Sequence, residues 1–469
     1  MERISKKSDS ISCLAIRTKD VLQKNLNAER YVSGLNAQLN QISDTSGDVN
    51  PLGHYIDINP KVSINDMDPQ TCVSFIGMGN IESDATGEYE TTSKPLHNVR
   101  GSGYTRFEDG DILWAKLDQS MQNGKSCLVN NLKNGIGFGS TEFHVIRVKD
   151  NSLSPKFLLD FLGRESFRRM ASGHFTGSSR LRVCPEFLTT FPFPVLSKDK
   201  QKKIVAKMEK SREQRKAKLM KANALLSNID FFILDSFGIT PPSEDSRKVF
   251  SIRKKSIKHR FDCRFYRPHF MQIENMLSKI QSVPLGDLLS FSQETWNPKT
   301  EKNKNFRYIE ISSVCRKTGL ASWQEIPTQE APSRARMKIR KNDIIVSLTR
   351  PHHGSIAHLG GEFEGCVAST GFAVIRDVTE HITREYLWLI LRTHFSLAQM
   401  FRHASGGNYP AITQPELKKI IIPVPDKELQ TAIVTGVQKY HTKAIRLQEE
   451  AKQIWQNAKQ WFEEQLMLG

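Results

Sequence analysis

Two long stretches of the chain carry apolar residues three and four positions apart with charged residues between them. Over residues 197–237 the stripe is Ile204, Val205, Met208, Leu219, Met220, Ala222, Leu225, Leu226 and Ile229. Over residues 426–469 it is Ile433, Val437, Tyr440, Ala444, Leu447, Ala451, Ile454, Ala458, Trp461 and Phe462. That spacing predicts two amphipathic helices, each about 60 Å long if unbroken over some forty residues. A seam of that length has to be covered, and the expected cover is the other helix in an antiparallel coiled coil, with Ile204, Met208, Leu225, Ile433, Val437, Ile454 and Trp461 in the seam or on a partner-binding face. Elsewhere the pattern is one of short β-branched runs, such as residues 343–349 and 372–376, punctuated by Gly, Asn and Asp. Shorter helices are expected at 155–171 and 383–403, each followed by a Gly-containing loop and a last strand that ends in Pro.

The same pattern is written twice. Ser140, Thr141, Phe143, Val145, Ile146 and Arg147 match Ser369, Thr370, Phe372, Val374, Ile375 and Arg376, each pair 229 positions apart. Pro194-Val195 matches Pro423-Val424, and Gln201, Ile204 and Val205 match Gln430, Ile433 and Val434, at the same offset. Upstream the offset drifts by a few residues: Asp111-Ile112 pairs with Asp343-Ile344, and Pro51-Leu52-Gly53 with Pro284-Leu285-Gly286. A period this long is a duplicated domain plus its connector, not a solenoid unit. The expected organisation is an N-terminal extension (1–30), a first module (31–196), a central helix (197–237), a linker (238–259), a second module (260–425) and a C-terminal helix (426–469). The fold class is α+β, with two tandem mixed α/β modules, each followed by a long helix, in a pseudo-twofold arrangement.

Charge narrows the partner. Among 469 residues Lys+Arg is 67 and Asp+Glu 50, a formal net charge of +17. Such a surplus favours a polyanion, because each Lys or Arg set on a phosphate releases condensed counterions. With 38% hydrophobic residues the chain can build cores. No apolar run is long enough for a membrane helix, and the first residues have no apolar core of a secretion signal, so no membrane association and a cytoplasmic location are expected. The seven cysteines are scattered with no CxxC, which fits free thiols.

No catalytic constellation emerges, and neither a metal site nor a cofactor is expected. Gly135, Gly137 and Gly139 resemble a nucleotide loop, but the second copy does not keep their spacing and no acidic residue on a following strand completes the motif; a turn into the Ser-Thr-x-Phe strand is the better account. Asn123-Gly124-Lys125-Ser126 has Gln119 where a phosphate loop needs glycine. The only Pro-Pro, at 241–242, lacks the aromatic that an amino-methyltransferase motif requires. His352-His353 has no carboxylate at ligand spacing.

The ordered set of motifs resembles the specificity subunit of type I restriction–modification systems. It comprises Pro-Leu-Gly at 51–53 and 284–286, Tyr-Ile-Glu-Ile-Ser-Ser-Val at 308–314, Asp-Ile turns at 110–112 and 342–344, the Ser-Thr-x-Phe strands, and Pro-Val-Pro with Leu-Gln-x-x-Ile-Val at 423–434. The resemblance covers nearly the whole chain. It implies two target recognition domains that each read half of a split site in double-stranded DNA. It also implies helices that space them and dock two DNA methyltransferase subunits, further restriction/translocase subunits, and no catalysis by this chain. The alternatives are a non-catalytic helical adaptor of another multi-subunit DNA defence system, or a DNA-modifying enzyme with an unrecognised site.

Two loops per copy are the candidates for base contact, since they occupy equivalent positions yet differ in sequence. In the first copy they carry Lys116, Gln119, Thr176, Ser178, Arg180 and Arg182; in the second, Arg350, His352, Asn408 and Tyr409. Arg180, Arg182 and Arg350 suit guanine, Gln119 and Asn408 adenine, and Tyr409 a base face or thymine methyl. Arg334, Arg336 and Lys338 alternate with small and apolar residues, which puts their charges on one strand face for phosphate contact. The start of the first long helix is also strongly basic.

Overall fold

In a computed structural model, which describes residues 7–8, 11–12, 49–101, 103–177, 179–239, 249–254, 257 and 260–467, each set of short apolar runs pairs into two four-stranded sheets and a two-stranded ribbon, to which the first adds the short pair Phe175–Thr176 with Arg182–Val183. Most of the expected N-terminal extension and linker, and Ser178, lie outside the described residues. The chain divides into two units, Met1–Met220 with Leu447–Gly469, and Lys221–Arg446.

In the first module one sheet runs Thr92–Pro95, Cys72–Ile76, Ile136–Gly139, Thr105–Glu108, and its middle pair is parallel. The other runs Ile56–Ile58, Phe143–Val148, Ile112–Ala115, Ser126–Leu128, all antiparallel. The second module repeats both. Gln324–Pro327, Asn305–Ile309, Val367–Ser369 and Ala335–Lys338 form one sheet, again with a parallel middle pair. Leu289–Phe291, Phe372–Val378, Ile344–Ser347 and Ile356–His358 form the other. The ribbons pair Val49–Pro51 with Pro192–Pro194, and Ser282–Pro284 with Ile421–Pro423. The fold is α+β, and the duplication read from spaced motifs is a duplication of strand order.

Two polar devices recur with the repeat. Gln201 and Gln430 are both buried. The Gln430 amide donates to the carbonyls of His381 (2.7 Å) and Pro425 (2.9 Å) and accepts from the Thr383 N–H (2.9 Å). Gln201 does the same with Ser152, Leu196 and Ser154. Each glutamine thus ties the start of a long helix to the loop that opens the module's short helices. Buried Asp111 and Asp343 each take a forked pair of bonds from an arginine at the end of the Ser-Thr-x-Phe strand, Arg147 and Arg376. Forked, charge-assisted pairing satisfies a carboxylate that burial would otherwise penalise.

The expected helix at 155–171 is two helices, Pro155–Gly163 and Glu165–Ser172. They break at Arg164, whose backbone is extended and whose buried guanidinium lies 3.9 Å from the Phe161 ring and 3.2 Å from Glu463. The helix expected at 383–403 is likewise Arg384–Leu391 and His394–His403, each N-capped by a threonine, Thr383 and Thr393. The first break directly follows Gly163, a helix-ending residue that the apolar stripe outweighed, whereas the second has neither Gly nor Pro to mark it.

The first long helix runs Lys198–Ser227 and restarts as Ile229–Asp235; the second runs Lys427–Met467 without a break. They pair antiparallel within each unit. In the first unit Ile204 and Met208 share a core with Trp455, Ala458, Phe462 and Leu466. In the second, Phe232 packs tilted against Tyr440 (5.4 Å between ring centroids) and lies over Gly436, where a Cβ would come within 2.2 Å of its ring. The seam differs in phase from the sequence expectation. Ile433, Val437, Ile204 and Met208 are buried in it, but Leu225, Ile454 and Trp461 are half-buried, and the neighbours Trp455 and Phe462 take the inward positions. Trp455 wins because its indole N–H has a fixed acceptor, the Asp84 carbonyl at 2.8 Å.

The glycine cluster at 135–139 has a packing explanation. A Cβ on Gly137 would lie 2.0 Å from the Phe107 ring, and one on Gly139 2.5 Å from the Ile76 carbonyl. These glycines let a buried aromatic cross the parallel strand, while Gly135, at φ +70°, makes the turn before it.

Candidate nucleic-acid interface

The two candidate loops of each module are joined by main-chain hydrogen bonds into one ribbon. In the first module Leu117 bridges Arg182, Val183 N–H donates to the Lys116 carbonyl (2.9 Å), and Asp118 N–H donates to the Leu181 carbonyl (3.0 Å). In the second, Thr349 bridges Ala411, Ile412 N–H donates to Leu348 (2.8 Å), and Arg350 N–H donates to Pro410 (2.7 Å). A third strand joins through Glu142 or Gly371, whose carbonyls accept from Lys116 N–H (3.0 Å) and Leu348 N–H (2.7 Å). Both ribbons turn on a glycine at positive φ, Gly177 at +107° and Gly406 at +93°, where a Cβ would press on the carbonyl of Arg180 or Tyr409. The backbone of the candidate site is therefore the same in both modules, and only its side chains differ.

In the first module Gln119, Thr176 and Arg180 are exposed, and Lys116 and Arg182 half-buried. The Thr176 hydroxyl donates to the Arg182 carbonyl (3.3 Å). Arg182 forks through Nε and Nη2 onto both oxygens of Glu142, at 2.8 and 2.6 Å, and Nη1 donates to the Arg180 carbonyl (3.2 Å). The Arg182 hydrogen bonds hold the Glu142 carboxyl below the usual carboxylate range, and the charges of Arg182, Lys116 and Arg180 add to this against a smaller opposing effect of burial. Sequence reasoning missed Glu142. The available signal was that x in Ser-Thr-x-Phe is an acid in one copy and Gly371 in the other.

In the second module Asn408 and Tyr409 are exposed, Tyr409 to 72%. The Arg350 guanidinium rests 4.4 Å over the Tyr409 ring, and its backbone is left-handed at φ +47°. The His352 ring packs against Phe401, with centroids 4.3 Å apart. Burial, then the positive charges of its neighbours, push its pKa below the ordinary histidine value. Arg260 and Arg264, which sequence reasoning also missed, anchor the loop by donating to the carbonyls of His403, Ala404 and Gly406.

Arg334, Arg336 and Lys338 lie at the edge strand Ala335–Lys338 of the other sheet rather than in the ribbon. Ala335 and Ile339 are buried, Arg334 and Lys338 exposed, and Arg336 half-buried. Several cations of the first long helix are already paired: Arg212 with Asp160, Arg215 with Glu82 and Lys216 with Glu88. Among the described residues no three His, Cys, Asp or Glu side chains group to hold a metal ion, and no helix is long and apolar enough to cross a membrane.

Residues 278–454 match the model of the type I restriction modification DNA specificity domain. The chain is 34% identical over 153 residues to the EcoAI type I restriction enzyme specificity subunit of Escherichia coli, a stretch that is 32% of this chain and 26% of that protein. It is 31% identical over 160 residues to the EcoEI specificity subunit of the same organism, 34% of this chain and 26% of that one. The chain thus spans about a quarter of the length of these curated relatives. Among solved structures, a chain from work on complex assembly and conformational transition of the type I R-M system has the same fold at TM-score 0.50 and 17% identity, over 89% of this chain and 96% of that one.

Proposed function

We propose, from the membership of residues 278–454 in the type I DNA specificity family, that this chain is a specificity subunit. Each of its modules reads one half of an asymmetric bipartite site in double-stranded DNA. The observation that carries this reading is the repeated ribbon: one backbone, held by main-chain bonds, displays Gln119, Arg180 and Arg182 in one module and Arg350, Asn408 and Tyr409 in the other. Arginine forks suit guanine, the amides adenine, and the tyrosine a thymine methyl, so two modules so furnished select two different half-sites. Arg334, Arg336 and Lys338 contribute sequence-independent phosphate contacts. The chain itself does no chemistry. It directs two methyltransferase subunits, and with them restriction/translocase subunits, to the site, in the cytoplasm and without a cofactor of its own.

The test is methylation mapping of DNA from cells that express this chain with and without a type I modification subunit. A methylated split motif that needs both proteins is the expected result. Methylation with this chain alone would mean it is an enzyme, and no motif under either condition would favour an adaptor.

A further inference from the structure

The two ribbons support their arginines differently, and the difference is paired. In the first module Arg182 is braced by Glu142, both oxygens engaged. At the equivalent positions, 229 residues on, the second module has Ala411 and Gly371, so both members of the pair are absent together. The second module's arginine sits instead on the neighbouring strand, as Arg350, and is braced by the Tyr409 ring. Each module thus has one arginine whose guanidinium is fixed by a neighbour before any ligand arrives.

The geometry of the first brace leaves a specific edge open. Glu142 occupies Nε and one hydrogen of Nη2, the side of the fork, and the Arg180 carbonyl takes one hydrogen of Nη1. An arginine has five N–H donors. Two of them, one on each Nη, are left without a bond to these groups. The side chain remains 37% exposed. A planar pair of donors on the Nη edge matches the O6 and N7 acceptors of guanine in the major groove.

We infer that Glu142 is a positioning residue for DNA specificity, holding Arg182 so that its Nη edge reads a guanine in the half-site of the first module. This rests on the DNA-reading function proposed above. Glu142 itself touches no base. It removes the rotamer freedom that a long, exposed arginine would otherwise lose on binding, and its negative charge tempers non-specific attraction to phosphate.

The experiment is methylation mapping of the full chain with its modification subunit, comparing wild type, Glu142→Gln and Arg182→Lys. Glutamine keeps the shape but has one acceptor oxygen and cannot take the fork; lysine keeps the charge but offers no planar edge. Both variants are expected to relax the guanine requirement at the same single position, by about tenfold. The other half-site should stay in the motif, which shows that each variant is folded and assembled. An unchanged motif in Glu142→Gln overturns the inference, as does relaxation in Arg182→Lys alone. Loss of the whole motif in Glu142→Gln also overturns it, because Glu142 would then be a structural brace. A wild-type chain that gives no motif fails the proposed function instead, which separates the two.

Discussion

Replacing Gln430 with alanine removes three hydrogen bonds at once, those to the His381 and Pro425 carbonyls and from the Thr383 N–H. A neutral hydrogen bond contributes a net ~0.5–1.5 kcal/mol, and a buried partner left unsatisfied costs more. Gln430 is fully buried, but His381 is exposed and Thr383 and Pro425 half-buried, so water can partly replace the lost partners. The expected cost is therefore about 2–3 kcal/mol, the lower part of the sum. The effect should be local, because the glutamine joins only the start of the second long helix to the Arg384–Leu391 cap. Hydrogen exchange followed by mass spectrometry reads this directly. Amides over 383–391 and 430–437 should exchange roughly 30- to 150-fold faster in Gln430→Ala, the factor that 2–3 kcal/mol represents. Gln201→Ala should do the same in the first module and leave the second unchanged. Exchange within threefold of wild type would refute the reasoning. Restoration of protection in Gln430→Leu would refute it too, since leucine fills the space without the bonds.

Gly137→Ala drives a methyl group into the buried Phe107 ring and should cost about 1–3 kcal/mol, read as a lowered urea midpoint of the first module, while Gly101→Ala, with open space around it, should change little. The buried His144 ring donates from Nε2 to the Val183 carbonyl (2.8 Å), and its pKa is lowered, chiefly by burial. The unfolded chain therefore binds the proton more readily than the folded one, so this contribution to stability is complete above about pH 6.5 and is lost as pH falls below it. Thermal unfolding should show that acid loss, and His144→Gln should flatten it. Arg350 has a left-handed backbone at φ +47°, a conformation costing a non-glycine residue about 1–2 kcal/mol. Arg350→Gly should thus unfold at slightly higher denaturant while relaxing the half-site read by the second module, as followed by methylation mapping.

Much of the architecture was legible because duplication doubles the evidence. Ser140 and Ser369, or Gln201 and Gln430, stand out only as a pair, and they fall at the ends of equivalent strands and at equivalent helix starts. Phase within the helices was less legible. Ile454-Trp455 and Trp461-Phe462 are adjacent apolar pairs, and a stripe pattern cannot choose between neighbours; the choice depends on an acceptor at Asp84, 371 positions away in sequence. The break at Thr393 was hidden because no Gly or Pro marks it, while the one at Arg164 had its signal in Gly163, which the continuing apolar stripe outweighed. Of the candidate site, the loops were found from their position and their divergence. The braces were not. Glu142 and Arg264 reach their partners across 40 and 142 residues, distances over which spacing carries no signal.

The way the ribbons are held explains why their side chains can diverge. The bonds that join the strands are main chain to main chain, and the residue type that both turns share is a glycine at positive φ, Gly177 or Gly406. Such a surface can exchange Asp118 for Arg350, Arg180 for Tyr409 or Arg182 for Ala411 without touching its own framework. The exchange is not symmetric at one position. A Cβ at Gly371 would meet the Ile311 side chain at 2.7 Å, whereas Glu142 has room in the first module. Grafting the second module's residues onto the first, as Asp118→Arg, Glu142→Gly, Arg180→Tyr and Arg182→Ala together, should therefore leave folding within about 1 kcal/mol of wild type, apart from the glycine's cost in a strand turn. The reverse graft, which includes Gly371→Glu, should lose about 1–3 kcal/mol to overpacking. Urea unfolding of the two grafts measures the difference. Equal stability in both would mean that Ile311 yields freely, and that the second module's glycine reflects the base it reads rather than the space it has.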